Sequence, residues 1–527
     1  MNHETIVTPG SRRRRNRIAF AALLFALSPV LVYAGGQQEQ DDASDSQRDA
    51  AEPEQTDEGP SRIVIAMNDD PDSLDPHRSS ASITEQMMLN VFDGLMVPNV
   101  EGTVEPGIAE SYEVSDDGLE YTFTLRDDVF FHNGEPVSAE DVVYSYDRLR
   151  GAGDEEALTS ELDDVESIDI IDDRTVRFTL SQVNSSFLAF LYRAVLPEGY
   201  DRHDEEPIGA GPYRFASYEP GDRVVLERFE DYYGDGGSID EAVFRIMDDG
   251  EAQLLALEAG EIDLAGISAE RAEEFEDDFT LVEALANSVF IFGMNNDVEP
   301  FDDLRVRRAM NHALDVEEIM DFALFGYGEP LGSSMSPAMP EYFVEDLVER
   351  YPHDPEGAQE LLEEAGYEDG FSFTLTISGH SDLYIDTAQV MEQQLGDIGI
   401  DVDIEVVEFG IWLDDVYTDR DYEATLIDFT GKLDPYPILR RYVSDYDRNF
   451  LNHDDPDYDE IIETALRETD EADRTEHYRE AQRLVTEETP AVFMYDYQNI
   501  WALNPDFEGY TAYPFFFHDL TEITRAR

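Results

Sequence analysis

The chain has 527 residues, and 121 Asp and Glu against 35 Lys and Arg leave a formal charge of −86 at neutral pH. Binding a nucleic-acid backbone requires basic patches that displace counterions, so this composition excludes it, along with charge-driven attachment to an anionic membrane surface. With 42% hydrophobic residues, among them 30 Phe and 27 Tyr, the chain still carries enough apolar material for two or three folded domains.

From the N-terminus, Arg12, Arg13, Arg14, Arg15 and Arg17 precede an apolar stretch over 18–32, and Val32-Tyr33-Ala34 supplies a cleavage pattern. An export signal is expected over 1–34, by the Sec or the twin-arginine route. Gly35 stands where a lipoprotein signal needs Cys, so the mature protein is expected to be a free periplasmic protein and not a lipoprotein. Residues 35–60 hold nine acids, one Arg and three Ala, and are expected to form a disordered, self-repelling acidic leader.

The body begins with an apolar run at 63–67, which predicts a buried strand, and a turn at 68–72. Runs at 121–125, 175–180, 223–226 and 371–377 carry strand character. Helices are predicted over 139–149, with Ser138 as N-cap and Asp141 at the third position, and over 253–259, 355–365 and 385–398. Gly366 and Gly399 close the last two. Strands interspersed with helices mean a mixed α/β class.

Acidic residues are so abundant that a catalytic carboxylate pair has no meaning as a pattern here. HExxH, GxSxG and Walker-lysine motifs are absent, and Gly209-Ala210-Gly211-Pro212 lacks the third glycine and the following helix of a nucleotide loop. The acids of 455–459 lack the glycine and the closing Glu of a calcium loop. Ten scattered His without paired spacing, and no Cys at all, argue against a metal site, a disulfide framework or a cysteine nucleophile. No catalytic residue, metal or cofactor is expected, and the protein is not expected to be an enzyme.

Of the 35 basic residues, 34 are Arg and one is Lys432. Many carboxylates with almost no lysine suit a halophilic protein, because in brine the Debye length shrinks to about 3 Å and surface repulsion is screened. Lys432 is either an ordinary surface residue or a compact ammonium at a place where a planar guanidinium does not fit.

The order of segments resembles a known family, the solute-binding proteins of peptide-type ABC importers (the oligopeptide, dipeptide and nickel-binding group, extracellular solute-binding family 5). The matching stretches include PDSLDPH (71–77), FDGLMV (92–97), AESYEVSDDGLEYTFTLRDDVFFHNGEPVSAEDVVYSYDRL (109–149) and GAGPYRFASYEPGDRVVLERFEDYYG (209–234). LEAGEIDLAG (257–266), DDLRVRRAMNHALDVEEIM (302–320), AQELLEEAGY (358–367) and IGIDVDIEVVE (398–408) follow in the family's order.

The resemblance implies a two-lobed periplasmic-binding-protein fold with a ligand cleft between the lobes. Lobe I comprises 61–290 plus 492–527 with an accessory subdomain at 98–205, lobe II comprises 291–491, and the hinges fall in 288–294 and 492–497. It implies capture of short peptides by a monomer that delivers them to an ABC permease and its ATPases, with a non-peptide anion, sugar or metal chelate as the alternative ligand. A periplasmic sensor or chaperone on the same fold is the rival of a different class. In peptide-binding members a carboxylate shortly after an aromatic meets the ligand's amine. Phe429 takes the aromatic's place, Thr430 follows, and Lys432 stands where the carboxylate is expected, with Asp434 two residues on as the alternative amine partner. Asn68, Asp70 and Asp72 are expected to line the cleft from lobe I. Phe409 and Trp412 are either apolar cleft walls from lobe II or ordinary core.

Overall fold

The computed structural model describes residues 61–153, 156–515 and 517–526. The expected export signal and acidic leader lie outside the described residues.

The first strand, Arg62–Met67, shows how the sheet is made. Ile63, Ile65 and Met67 pack into one apolar core, while Ala66 and the partly buried Val64 join a second core on the opposite face. A strand buried on both faces has no polar side to show, which is why its sequence reads as a continuous apolar run. It pairs in parallel with Glu241–Ile246 and Leu264–Ile267. Arg223–Arg228 and Tyr213–Glu219 extend this half of the sheet in antiparallel fashion. In the other half, Ser372–Ser378 runs parallel to both Asp401–Val407 and Ala424–Thr430, and the latter pairs antiparallel with Ser288–Met294.

One long strand, Ala491–Leu503, joins the halves. Its start pairs with Ser288–Met294, placing Ala491 opposite Gly293 and Tyr495 opposite Phe290. Its end pairs with Thr280–Leu285 and Leu264–Ile267, placing Gln498 opposite Leu285 and Leu503 opposite Leu264. Between Thr280–Leu285 and Ser288–Met294 the chain crosses through Ala286 and Asn287 alone, with Asn287 in the left-handed region at φ 53°, a conformation Asn tolerates better than most residues. The stretch 288–294 is fully buried throughout, so the change of strand partner falls at its leading edge.

A separate antiparallel sheet orders Ala109–Val114, Glu120–Leu125, Thr175–Leu180 and Val165–Asp172. Tyr121, Phe123, Leu125, Val176, Phe178 and Leu180 point to one face, where the helix Ala139–Arg150 covers them with Val142 and Tyr146. Each large side chain removed from water there contributes roughly 1.5–3 kcal/mol. The helix starts at the predicted cap: Ser138 accepts from the Asp141 N–H, the Asp141 carboxylate accepts from the Ser138 N–H, and Gly151 ends it at φ 68°.

Two sequence features acquire structural reasons. A Cβ on Gly209 would lie 2.0 Å from the Val91 carbonyl oxygen, so the glycine-rich stretch allows two backbones to touch. Asp455 caps the helix Pro456–Arg467 by accepting from the Asp457 N–H. No helix among the described residues is long and apolar enough to cross a membrane.

Candidate functional site

The strand Ala424–Thr430 ends at a short loop, and Gly431 sets how that loop lies. Its N–H donates to the Asn287 carbonyl, and a Cβ there would sit 2.2 Å from the buried Asn287 side chain. The loop is thereby pressed against the crossing segment between the two halves of the sheet. Asp434 then turns the chain, accepting from the Tyr436 N–H at 2.9 Å, and the helical turns Tyr436–Leu439 and Arg440–Tyr442 follow.

This loop meets the four-stranded subdomain. Ser186 Oγ donates to Asp434 Oδ1 at 2.7 Å, and Arg474 lies 3.7 Å from the same carboxylate while donating to the Ser185 carbonyl at 2.8 Å. The Ser185 N–H donates to the Leu466 carbonyl at 3.0 Å. Tyr192 from the subdomain, Leu433 from the loop and Phe515 from the C-terminal segment form a small apolar cluster beside these bonds.

The contacts enclose a cavity of about 330 Å³, at the small end of the roughly 300–1,000 Å³ usual for small-molecule sites. Lys432, Arg440, Arg441, Arg448 and Arg467 line one side, and Glu161, Asp163 and Asp164 belong to the other. The Arg441 guanidinium lies 4.5 Å from the Phe429 ring centre and donates to the Tyr417 hydroxyl at 3.2 Å. Arg440 stacks on Tyr446 at 4.7 Å and Tyr436 at 5.4 Å. A second space of about 530 Å³ opens where the crossing strands meet the first strand, with Asn68, Gln253, Tyr327, Tyr497 and Trp501 in its walls.

The structure sorts the expected site residues. Lys432 is exposed and lines the smaller cavity. Asn68 is exposed in the larger one, accepting from Gln253 Nε2 at 2.7 Å. The others are engaged within the fold. Asp70 accepts from the Tyr218 hydroxyl at 2.6 Å and the Gly221 N–H at 2.9 Å, tying down a hairpin. Asp72 accepts from the Ser80 and Ala81 N–H groups and from Thr84 Oγ1 at the start of the helix Ser82–Met88. Burial pushes its pKa up, yet these donors outweigh it and hold the carboxyl below its usual value.

Trp412 is 2% exposed and donates from Nε1 to Thr425 Oγ1 at 2.9 Å, so of the two readings offered for it the core one describes its place. Phe409, 45% exposed, stacks on Trp412 and lies edge-on to His380. Phe429 is buried under Arg441 and against Phe450, and Thr430 ends its strand opposite Ser288. Asp434 is 5% exposed in the wall of the smaller cavity, where it accepts from Ser186 and the Tyr436 N–H and faces Arg474. Arg440, Arg441 and Arg448 were not expected at the site. Their one sequence signal is the grouping of four cations between 432 and 448 in a chain poor in them. Among the described residues no group of three or more His, Asp or Glu is placed to hold a metal ion.

A profile of bacterial extracellular solute-binding proteins, family 5 (middle region), matches residues 103–450. The chain belongs to that family. It is the extracytoplasmic solute-binding component of an ABC importer, built on the two-lobed binding-protein fold. The glutathione-binding protein GsiB of Salmonella typhi is 27% identical over 453 residues, covering 81% of this chain and 87% of that protein. The ABC transporter substrate-binding protein CtaP of Listeria monocytogenes superposes with a TM-score of 0.78 at 27% identity, covering 88% of this chain and 99% of that one. A dipeptide-binding protein from Pseudoalteromonas in complex with Met-Leu gives 0.74 at 25% identity, covering 88% and 100%.

Proposed function

We propose that the protein captures short peptides between two lobes, 61–290 with 492–527 and 291–491, of which 98–205 forms the accessory subdomain of the first. The lobes turn about the crossings at 286–287 and 497–498, where strand pairing passes from one half of the sheet to the other. The observation that carries this reading is the cavity of about 330 Å³ whose walls come from the subdomain on one side and from the Lys432 loop on the other. A solute there touches both walls only when the lobes are together, so binding shifts an open–closed equilibrium by its preference for the closed state.

An extended peptide gains affinity from backbone hydrogen bonds, which suits a carrier that accepts many sequences. The closed monomer then docks on a membrane permease whose ATPases drive import, and no residue performs bond chemistry. Residues 1–34 serve as the signal for export to the periplasm. Relatives that carry glutathione or dipeptides support this class of ligand.

Purification in molar KCl, denaturation and mass spectrometry of the released small molecules test the reading. A ladder of short peptides is expected, and a single non-peptide compound overturns it.

A further inference from the structure

The charge balance makes one feature of the cavity unusual. With 121 carboxylates for 35 cations, most arginines among the described residues have an acid beside them, as in the ion pairs of Arg148 with Asp75, Arg193 with Glu161 and Arg350 with Glu487. Yet Lys432, Arg440, Arg441 and Arg448 all line one cavity, and among the described residues none of the four has a carboxylate oxygen within 4.0 Å.

Two of these guanidinium groups are held by aromatic faces, Arg440 by Tyr446 and Tyr436 and Arg441 by Phe429. Stacking fixes the plane and leaves N–H edges to donate, the geometry that suits a carboxylate. The acids of the facing wall are partly spoken for. Glu161 pairs with Arg193, and Asp164 accepts from Gln182 Nε2 at 2.6 Å and Asn184 Nδ2 at 3.0 Å.

We infer that the solute presents a carboxylate to Lys432, Arg440, Arg441 and Arg448, so the cavity selects anionic or zwitterionic solutes by their acid end. This rests on the assignment of the cavity as the ligand site. A peptide's terminal carboxylate and the acid group of a non-peptide solute share that chemistry.

The test is the melting temperature of the protein, stripped of bound solute by urea and refolded in molar KCl, with tri-alanine, tri-alanine amide or succinate added at constant salt. Lys432→Gln and the pair Lys432→Gln with Arg441→Gln are measured beside it, and their melting without probe reports that they fold. A free-acid probe is expected to stabilise the native chain, and the double variant is expected to need at least tenfold more of it for the same shift. Stabilisation by succinate but not tri-alanine removes the peptide reading and leaves this inference standing. Equal stabilisation by tri-alanine and its amide does the reverse. The inference falls if neither free acid shifts the melting point, which would leave chloride as the only occupant, or if the shift persists unchanged in the double variant.

Discussion

Ser186 and Asp434 stand 248 positions apart and share a hydrogen bond of 2.7 Å, which ties the four-stranded subdomain to the loop that carries Lys432. Asp434 is 5% exposed and also faces Arg474. Asp434→Ala leaves a hydroxyl and a guanidinium without their shared acceptor, a loss of about 1–3 kcal/mol. Because the bond joins the two walls of the cavity, most of that loss should fall on closure. Solute affinity is expected to drop about 10- to 100-fold while the fold persists, and the radius of gyration from small-angle scattering should rise. Unchanged affinity and size would show that the bond does not contribute to closure.

The crossing strands hold a buried acid of a different kind. Asp496 is fully buried and accepts from the Ser288 N–H at 3.0 Å and from Ser336 Oγ, and burial pushes its pKa up to about 7 despite those donors. A carboxyl with a raised pKa binds its proton more tightly in the folded chain, so stability falls as pH rises from about 4 to about 7. Asp496→Asn removes that dependence. Urea unfolding should show the variant gaining on the native protein across that window, by at most about 4 kcal/mol. A difference that does not change with pH would mean the acid is already charged in the fold. Asp93 is also pushed up to about 7 by burial, against the Tyr232 and Tyr233 hydroxyls that donate to it, and Asp93→Asn should show the same trend.

Trp412 and Phe409 offer a contrast of neighbours. Trp412→Phe removes the hydrogen bond to Thr425 in a closed core and should cost about 1–2 kcal/mol of stability with solute affinity unchanged. Phe409 is 45% exposed, and Phe409→Ala should change stability by less than about 1 kcal/mol. A tenfold loss of affinity in either variant would place that ring at the ligand.

Salt dependence follows from the charge of −86. Lowering KCl from about 1 M to about 0.1 M lengthens the Debye length from about 3 Å to about 10 Å and restores repulsion among surface carboxylates. The melting temperature should fall steadily over that range. A flat profile would mean the acidic surface is no adaptation to brine.

Much of the fold was readable because local patterns and burial agree. The alternation in 121–125 and 175–180 marks two strands with one dry face, the Ser138 and Asp141 pair marks a helix start, and the apolar run at 63–67 marks a strand buried on both sides. Helix ends shifted by a few residues, as at Gly250–Glu258, where Asp249 caps a turn earlier than the apolar pattern begins.

The site was less readable. Asn68, Asp70 and Asp72 look alike in an acidic turn, and only their partners separate a residue that lines the larger cavity from two that tie down a hairpin and a helix start. The sequence by itself determined the acidic surface, the mixed α/β class and the singularity of Lys432, since composition and short-range periodicity need no long-range contact. Tertiary structure alone decided that Asp434 meets Ser186 and Arg474, and that Arg440, Arg441 and Arg448 gather beside Lys432 in a cavity. Those outcomes depend on surfaces brought together across hundreds of residues, and a side chain's partners there are set by packing, which no local pattern records.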